Sequence, residues 1–224
     1  MSQASGKPHD QASDSGGGRP HDQAERFPVV GSDVTHEGVM VQVRVDRVAM
    51  PDGEVEREVG RRPSAVAVVP LTDSGEVVML RQYRHPVGGY ELEIPAGLLD
   101  VEGEPEDAAA QRELAEEIGM RAGRLRRLTR FWNSAGWSDE ATTVFVGTQL
   151  APATPDDGFV ADAEEADMQV LHLPLPDALA RVRDGRITDA KTIVGLLLLG
   201  EGERSEPVGG DLLGEGERGE DTAP

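Results

Sequence analysis

GLLDVEGEPEDAAAQRELAEEIGM, residues Gly97 to Met120, is the stretch on which the reading of this chain turns. From Pro105 to Ile118 it is rich in good helix formers, and Gly119 follows. That order predicts a helix with proline in its first turn and glycine as its stop. At about 100° per residue, Glu113 and Glu117 fall one turn apart on one face. Glu116 sits beside them, and Glu106 extends the stripe two turns earlier. Leu114 and Ile118 point elsewhere, toward a core. Like charges at this spacing repel by roughly 0.2–0.5 kcal/mol in an isolated helix. A solvated acidic face is the ordinary reason for such a cluster, but on a helix that also buries an apolar side it asks for a further explanation.

A hard divalent cation supplies one. Mg²⁺ takes oxygen ligands, a few carboxylates with waters and substrate phosphates, and Mn²⁺ accepts a similar set. Bridged across a diphosphate, such ions neutralise its charge and activate water for attack on phosphorus. The charge of the chain points the same way. The formal net charge is −20. Residues 1–25 hold −2 of it and residues 201–224 hold −6, which leaves −12 in the body. A polyphosphate needs cations to approach such a body, whereas a nucleic-acid backbone would need Lys and Arg that are not in excess.

The order from Glu104 onward resembles the signature of the Nudix hydrolases. Glu104 is followed after seven residues by Arg112-Glu113-Leu114, then Glu116-Glu117, and then Gly119-Met120. A match at this many positions is far more specific than a lone glycine-rich fingerprint. One departure lies upstream: six residues, not five, separate Gly97 from Glu104. The extra residue falls in the loop Asp100 to Gly103, where an insertion is cheap. It leaves the spacing of the glutamates untouched.

The resemblance implies a mechanism. Glu113 and Glu117 would be primary metal ligands, with Glu116 a further or alternate one, and the backbone carbonyl of Ala96 would also face a metal. Arg112 would orient the glutamates through charge-assisted hydrogen bonds, with Glu104 supporting it. Gly97 suits a turn forbidden to most residues. The flanks, Gln82 to Asp100, Ser134 to Glu140 and Asp189 to Ile193, look like the ADP-ribose pyrophosphatase branch. That branch places a water-activating glutamate on a loop after the helix, here Ala151 to Asp167. Glu165 is the residue expected to serve, with Glu164 the alternative. Arg84 is a candidate phosphate or ribose contact because its planar fork matches phosphate oxygens. Tyr83, Trp132 and Trp137 are candidates to stack on adenine, with core packing the competing role, and His85 is read as structural.

Outward from the box, Val39 to Arg47 alternates apolar and polar as a half-buried strand does. Pro51-Asp52-Gly53 turns it into Val55 to Val59. Strands are also predicted at Ala65 to Val69, Val77 to Tyr83, Tyr90 to Ile94, Leu125 to Phe131, Thr142 to Val146 and Met168 to Leu173. Helices are predicted at Pro176 to Arg183 and at Asp189 to Leu199, the last closed by Gly200. This order is not strictly alternating, so the fold class is α/β in the α+β sense, a mixed sheet covered by helices. The resemblance sharpens it to a Nudix α/β/α sandwich with a small N-terminal antiparallel β segment, used in that branch for homodimers.

Four regions follow: residues 1–26 as a disordered low-complexity tail, 27–62 as the N-terminal β segment, 63–200 as the hydrolase domain and 201–224 as a disordered acidic tail. PHDQA occurs at Pro8 and again at Pro20, and LLGEGER at Leu198 and again at Leu212, with no solenoid period. The chain has no cysteine, which excludes disulfides, thiolate metal sites and a cysteine nucleophile. No apolar run reaches the roughly 20 residues that span a bilayer, and the N-terminus lacks a signal-peptide core. A cytoplasmic, homodimeric, Mg²⁺-dependent enzyme is expected, with a small nucleoside diphosphate substrate and neither a nucleic-acid nor a membrane partner. The leading expectation is cleavage of ADP-ribose to AMP and ribose 5-phosphate. The alternatives are another ADP-sugar, a dinucleotide polyphosphate or an oxidised nucleotide as substrate, or a Nudix module that senses a nucleotide without cleaving it.

Overall fold

The computed structural model describes residues 26–155 and 167–205. Three strands open the chain as an antiparallel sheet: β1 (Val29–Glu37), β2 (Gln42–Met50) and β3 (Gly53–Arg61). Pro51 and Asp52 make the turn between the last two, and Gly53 follows at φ 129°, a backbone state that glycine adopts without strain. β1 falls within the expected β segment 27–62 but is not among the strands predicted, because VVGSDVTHE is interrupted by Gly31 and by polar residues, and most of it lies exposed.

The body is built on β4 (Ala65–Pro70), every residue of which is buried. It sits inside a four-stranded sheet in the order β7 (Ala96–Leu98), β4, β9 (Ala141–Pro152) and β8 (Met120–Trp132). β4 runs parallel to β9 and antiparallel to β7, so this sheet is mixed. A second, antiparallel sheet has β5 (Glu76–Arg84) between β6 (Gly89–Glu93) and β10 (Gln169–Pro174).

Consecutive valines explain the layering. Val66, Val68, Val78 and Leu80 turn to one side, onto Ala109, Ala110, Leu114 and Ile118 of α1 (Glu106–Ile118). Ala67, Val69, Val77 and Met79 turn to the other, onto α2 (Leu175–Arg183) and α3 (Ala190–Ser205) through Leu175, Ala178, Leu196 and Leu199. A strand covered on both faces reads as an unbroken apolar run. Each buried Val or Leu contributes about 1.5–3 kcal/mol relative to exposure. The result is the expected sandwich: helices on both sides of mixed β structure, with a small N-terminal antiparallel sheet.

The helix of the box begins at Glu106, with Pro105 in an extended conformation as its N-cap, and Gly119 ends it in the left-handed region at φ 65°. Gly200, expected as a stop, is instead passed by α3, which runs to Ser205. A Cβ at Gly200 would lie 2.9 Å from Leu179 Cδ1, so glycine there serves a close approach of α3 to α2. β9 extends to Pro152, past the expected loop start at Ala151. Among the described residues no helix is long and apolar enough to cross a membrane.

Candidate active site

Pairing of β7 with β4 brings Ala96, Gly97 and Leu98 beneath α1. Gly97 is not in the left-handed region. The turn conformation expected of it is therefore not the reason for glycine. A Cβ there would collide with the carboxylate of Glu113, so the missing side chain makes room for that group.

Arg112 organises the acidic face. Its Nε and Nη2 donate to the two oxygens of Glu104 at 3.1 and 3.0 Å, a planar fork on a carboxylate. Nη1 donates to Glu113 at 2.5 Å and to Glu116 at 3.1 Å, and Nη2 also reaches the Leu98 carbonyl at 3.3 Å. The extra residue upstream is absorbed in the turn before Glu104, with Gly103 at φ 78° and the Glu104 amide donating to Val101. Glu106 leaves the stripe. Its carboxylate accepts from Thr143 at 3.0 Å and pairs with Arg130 at 3.6 Å, because the first turn of α1 lies over β8 and β9.

Glu113 and Glu117 are the under-compensated members. Burial pushes Glu113 up to about 7, Glu116 and Asp100 add to the rise, and Arg112 opposes it. Burial pushes Glu117 up to about 8, with repulsion from Glu113 next. The Ala96 amide, which donates to Glu117 at 2.9 Å, and the more distant Lys191 and Arg84 offset only part of this. Among the described residues no three acidic or histidine side chains converge as they stand. Glu113 and Glu116 are turned to Arg112, and Glu117 is turned to Ala96. Hard oxygen donors carrying surplus negative charge nevertheless fit a divalent cation such as Mg²⁺, whose remaining positions water and substrate oxygens fill.

A second network, not foreseen, borders the first. Glu93, 1% exposed, takes the fork of Arg84 at 2.8 and 2.9 Å and a hydrogen bond from Lys191. Lys191 also donates to Asp189 at 2.9 Å. The other Asp189 oxygen accepts the Thr192 amide and hydroxyl at 2.9 and 2.6 Å, and the Thr192 hydroxyl accepts the Ile94 amide at 2.9 Å. The start of α3 is thereby tied to the strand entering the box. Burial raises Glu93, but the hydrogen bonds and charges of Arg84 and Lys191 outweigh it and hold the carboxyl below its ordinary value. A second glutamate next to Ile94 in the alternating strand Tyr90 to Ile94 was the available signal.

The remaining candidates are dispersed. Tyr83 alternates with Arg84 along β5 and so projects from the opposite face. Its ring meets Tyr90 edge-on at 5.6 Å. Trp137 is 58% exposed and lies against Gly60, whose amide donates to the Trp137 carbonyl at 2.8 Å. It marks the junction of the N-terminal sheet with the turn before β9. Glu164 and Glu165 lie outside the described residues.

This fold, with a glutamate helix under an arginine fork, defines a class that comparison with known proteins identifies. The model of the NUDIX domain matches residues 61–191, and the chain belongs to the Nudix family. Within it, the chain is 40% identical over 172 residues to the ADP-ribose pyrophosphatase of Mycobacterium tuberculosis, covering 76% of this chain and 82% of that one. It is 34% identical over 171 residues to the ADP-ribose pyrophosphatase of Bacillus subtilis, covering 76% and 90%. A solved structure described as an ADP compounds hydrolase superposes with a TM-score of 0.69 at 23% identity, over 80% of this chain and 95% of that one, and shares the fold. The expectation of a Nudix hydrolase acting on pyrophosphate bonds stands.

Proposed function

We propose that this protein hydrolyses ADP-ribose to AMP and ribose 5-phosphate in a reaction that requires Mg²⁺, with Mn²⁺ as a substitute. The observation that carries the proposal is the pair Glu113, buried, and Glu117, half-buried, both short of compensating charge beside a fork that already serves Glu104 and Glu116. The two pyrophosphatase relatives supply the substrate class. When bound, a divalent cation supplies charge neutralisation at the diphosphate and a more acidic water.

The chain's own residues do the rest. Arg112 fixes the carboxylates of Glu104, Glu113 and Glu116 in one geometry, which lowers the reorganisation that binding requires. Gly97 admits the Glu113 carboxylate against β7. Glu113 and Glu117 are the proposed ligands, with Glu116 and the Ala96 carbonyl as further ones. Arg84, held by Glu93 with more than a third of its side chain exposed, is preset to receive a phosphate oxygen of the substrate. Glu165, or Glu164 beside it, accepts the proton of the attacking water. That water forms the new bond to one phosphorus, the bridging P–O bond to the other breaks, and the two halves part as AMP and ribose 5-phosphate, each keeping one phosphate.

The N-terminal sheet and the residue leading into it expose Val29, Val30, Val34 and Phe27, an apolar surface suited to the homodimer that this reading includes. A cytoplasmic location belongs to the same reading. The test is incubation with ADP-ribose, with and without Mg²⁺, and separation of products. AMP and ribose 5-phosphate appearing only with metal supports the proposal. Comparable turnover of a panel of unrelated nucleoside diphosphate derivatives defeats the substrate assignment.

A further inference from the structure

β8 carries Arg121, Arg124, Arg126, Arg127 and Arg130 and not one acidic residue. In a chain of net charge −20 with 22 lysines and arginines in all, this concentration of cations on one strand is the largest local reversal of sign. β8 is also an edge: it is last in the order β7-β4-β9-β8. Arg130 is engaged with Glu106. Arg121, Arg124, Arg126 and Arg127 are exposed and have no ion pair among the described residues. Arginines on an edge discourage pairing with a foreign strand, but that role needs one or two charges and does not explain four.

Register places two of them. Arg126 is paired with Val146, whose side chain belongs to the core layer of α2 and α3, and Arg124 lies two residues earlier opposite Thr148. With a period of two, Arg124 and Arg126 share the face of the sheet on which α3 packs. α3 itself contacts both β8 and β9. The chain then continues from α3 into residues 206–224, where Glu206, Asp211, Glu215, Glu217, Glu220 and Asp221 stand against the single cation Arg218.

We propose that this C-terminal acidic segment docks on the arginine strip of β8 in the same molecule, with Arg124 and Arg126 at its centre. Its extended reach is on the order of 60 Å, and the 13 residues of β8 span about 44 Å, so the segment is long enough to run along the strand. Tethering raises the effective concentration of the segment to the millimolar range for a short flexible link. Individually weak surface pairs then suffice. The strip is thereby covered by the chain's own polyanion, in competition with any external one. Attraction of this kind between exposed charges is removed by salt.

The chain contains no cysteine, so Gly214→Cys gives a single site for a nitroxide label. In the ¹⁵N-labelled full chain, the amides of Arg121 to Arg127 are expected to lose most of their intensity when the label is paramagnetic. The loss should vanish in R124E/R126E, and in the unmodified strip at about 1 M salt, where the screening length is about 3 Å. The salt arm reads out docking even if the double variant folds poorly. Unchanged intensities, broadening confined to another surface, or broadening that survives high salt overturns the proposal. So does broadening that appears only when labelled protein is mixed with a separate ¹⁵N chain, because docking is then between copies.

Discussion

Two carboxylate sites lie side by side in this molecule, each with a buried glutamate, and the two glutamates are shifted in opposite directions. Glu93 is 1% exposed and held below the ordinary carboxylate range, while Glu113, 7% exposed, is pushed up to about 7. Burial is common to both, so burial is not the variable. The difference is the number of cations built around each. Glu93 has the Arg84 fork and a share of Lys191, which it divides with Asp189. On α1, one guanidinium serves Glu104, Glu113 and Glu116, and Glu117 lies beyond its hydrogen-bonding reach. A buried charge that is paired internally is architecture; one left short of partners stores an affinity for a cation from outside.

The largest effect should come from breaking the under-compensated side. Glu113→Gln keeps the shape and removes the charge that the proposed cation requires. Losing a group that only supports a metal ligand typically costs 10–100-fold, so this change at a proposed ligand should lower metal-dependent kcat/KM by more than about 100-fold. Thermal stability without metal should not fall, because the variant no longer buries a group that resists ionisation. A variant that is equally active would remove Glu113 from the metal assignment.

The second effect is on pH. The folded-state values of Glu113 and Glu117, about 7 and about 8, lie above the ordinary 4.5. Between these limits the folded protein holds protons that the unfolded chain has released. Stability contributed in this way is complete below about 4.5 and is lost as pH rises through the folded values. The metal-free Tm should therefore decline by several degrees from pH 5 to pH 8. Saturating Mg²⁺, which competes with those protons, should flatten the decline and raise Tm most at the alkaline end. A metal-free Tm that rises across this window would reverse the comparison.

How far the chain could be read beforehand follows the same division. The spacing of Arg112, Glu113, Glu116 and Glu117 is local and helical, so α1 and its acidic face were legible, as were the buried valine strands. β7 was not, because three residues, Ala96 to Leu98, are too few to show a period and stand behind a proline. Gly97 was noticed for the wrong reason, since its demand comes from Glu113, sixteen residues away in sequence, and not from its own φ. Gly200 was misread likewise: its partner Leu179 lies on another helix. Glu93 escaped because its compensation arrives from Arg84 and Lys191, on opposite sides of it in the chain and brought together only by folding.

A smaller effect should follow from removing compensated charge. Glu93→Gln leaves Arg84 and Lys191 facing a neutral amide that accepts at only one atom. A hydrogen bond to a charged group contributes about 1.5–3 kcal/mol. Arg84 keeps 37% of its side chain in water, so a loss of about 2 kcal/mol is expected, which for a chain of this size lowers Tm by roughly 4–8 °C. Metal affinity, read by calorimetry, should change far less than in Glu113→Gln. An equal loss of metal affinity in both variants would merge the two sites into one.

The smallest effect separates compensation from burial. Asp184 has a dedicated cation, Arg186, at 2.5 Å, and the hydrogen bond from it holds the carboxyl below its ordinary value. In pairing this resembles Glu93, but both partners are in water. A depressed carboxyl contributes stability above its unfolded value and loses it on acidification, yet solvent and salt screen an exposed pair until little survives. Asp184→Asn should leave Tm unchanged within error at neutral pH and between low and high salt. If it lowered Tm as much as Glu93→Gln, then pairing by itself would carry the stability. If it is silent, the strength of the Glu93 clamp comes from holding Arg84 and Lys191 around a group that has nowhere else to turn.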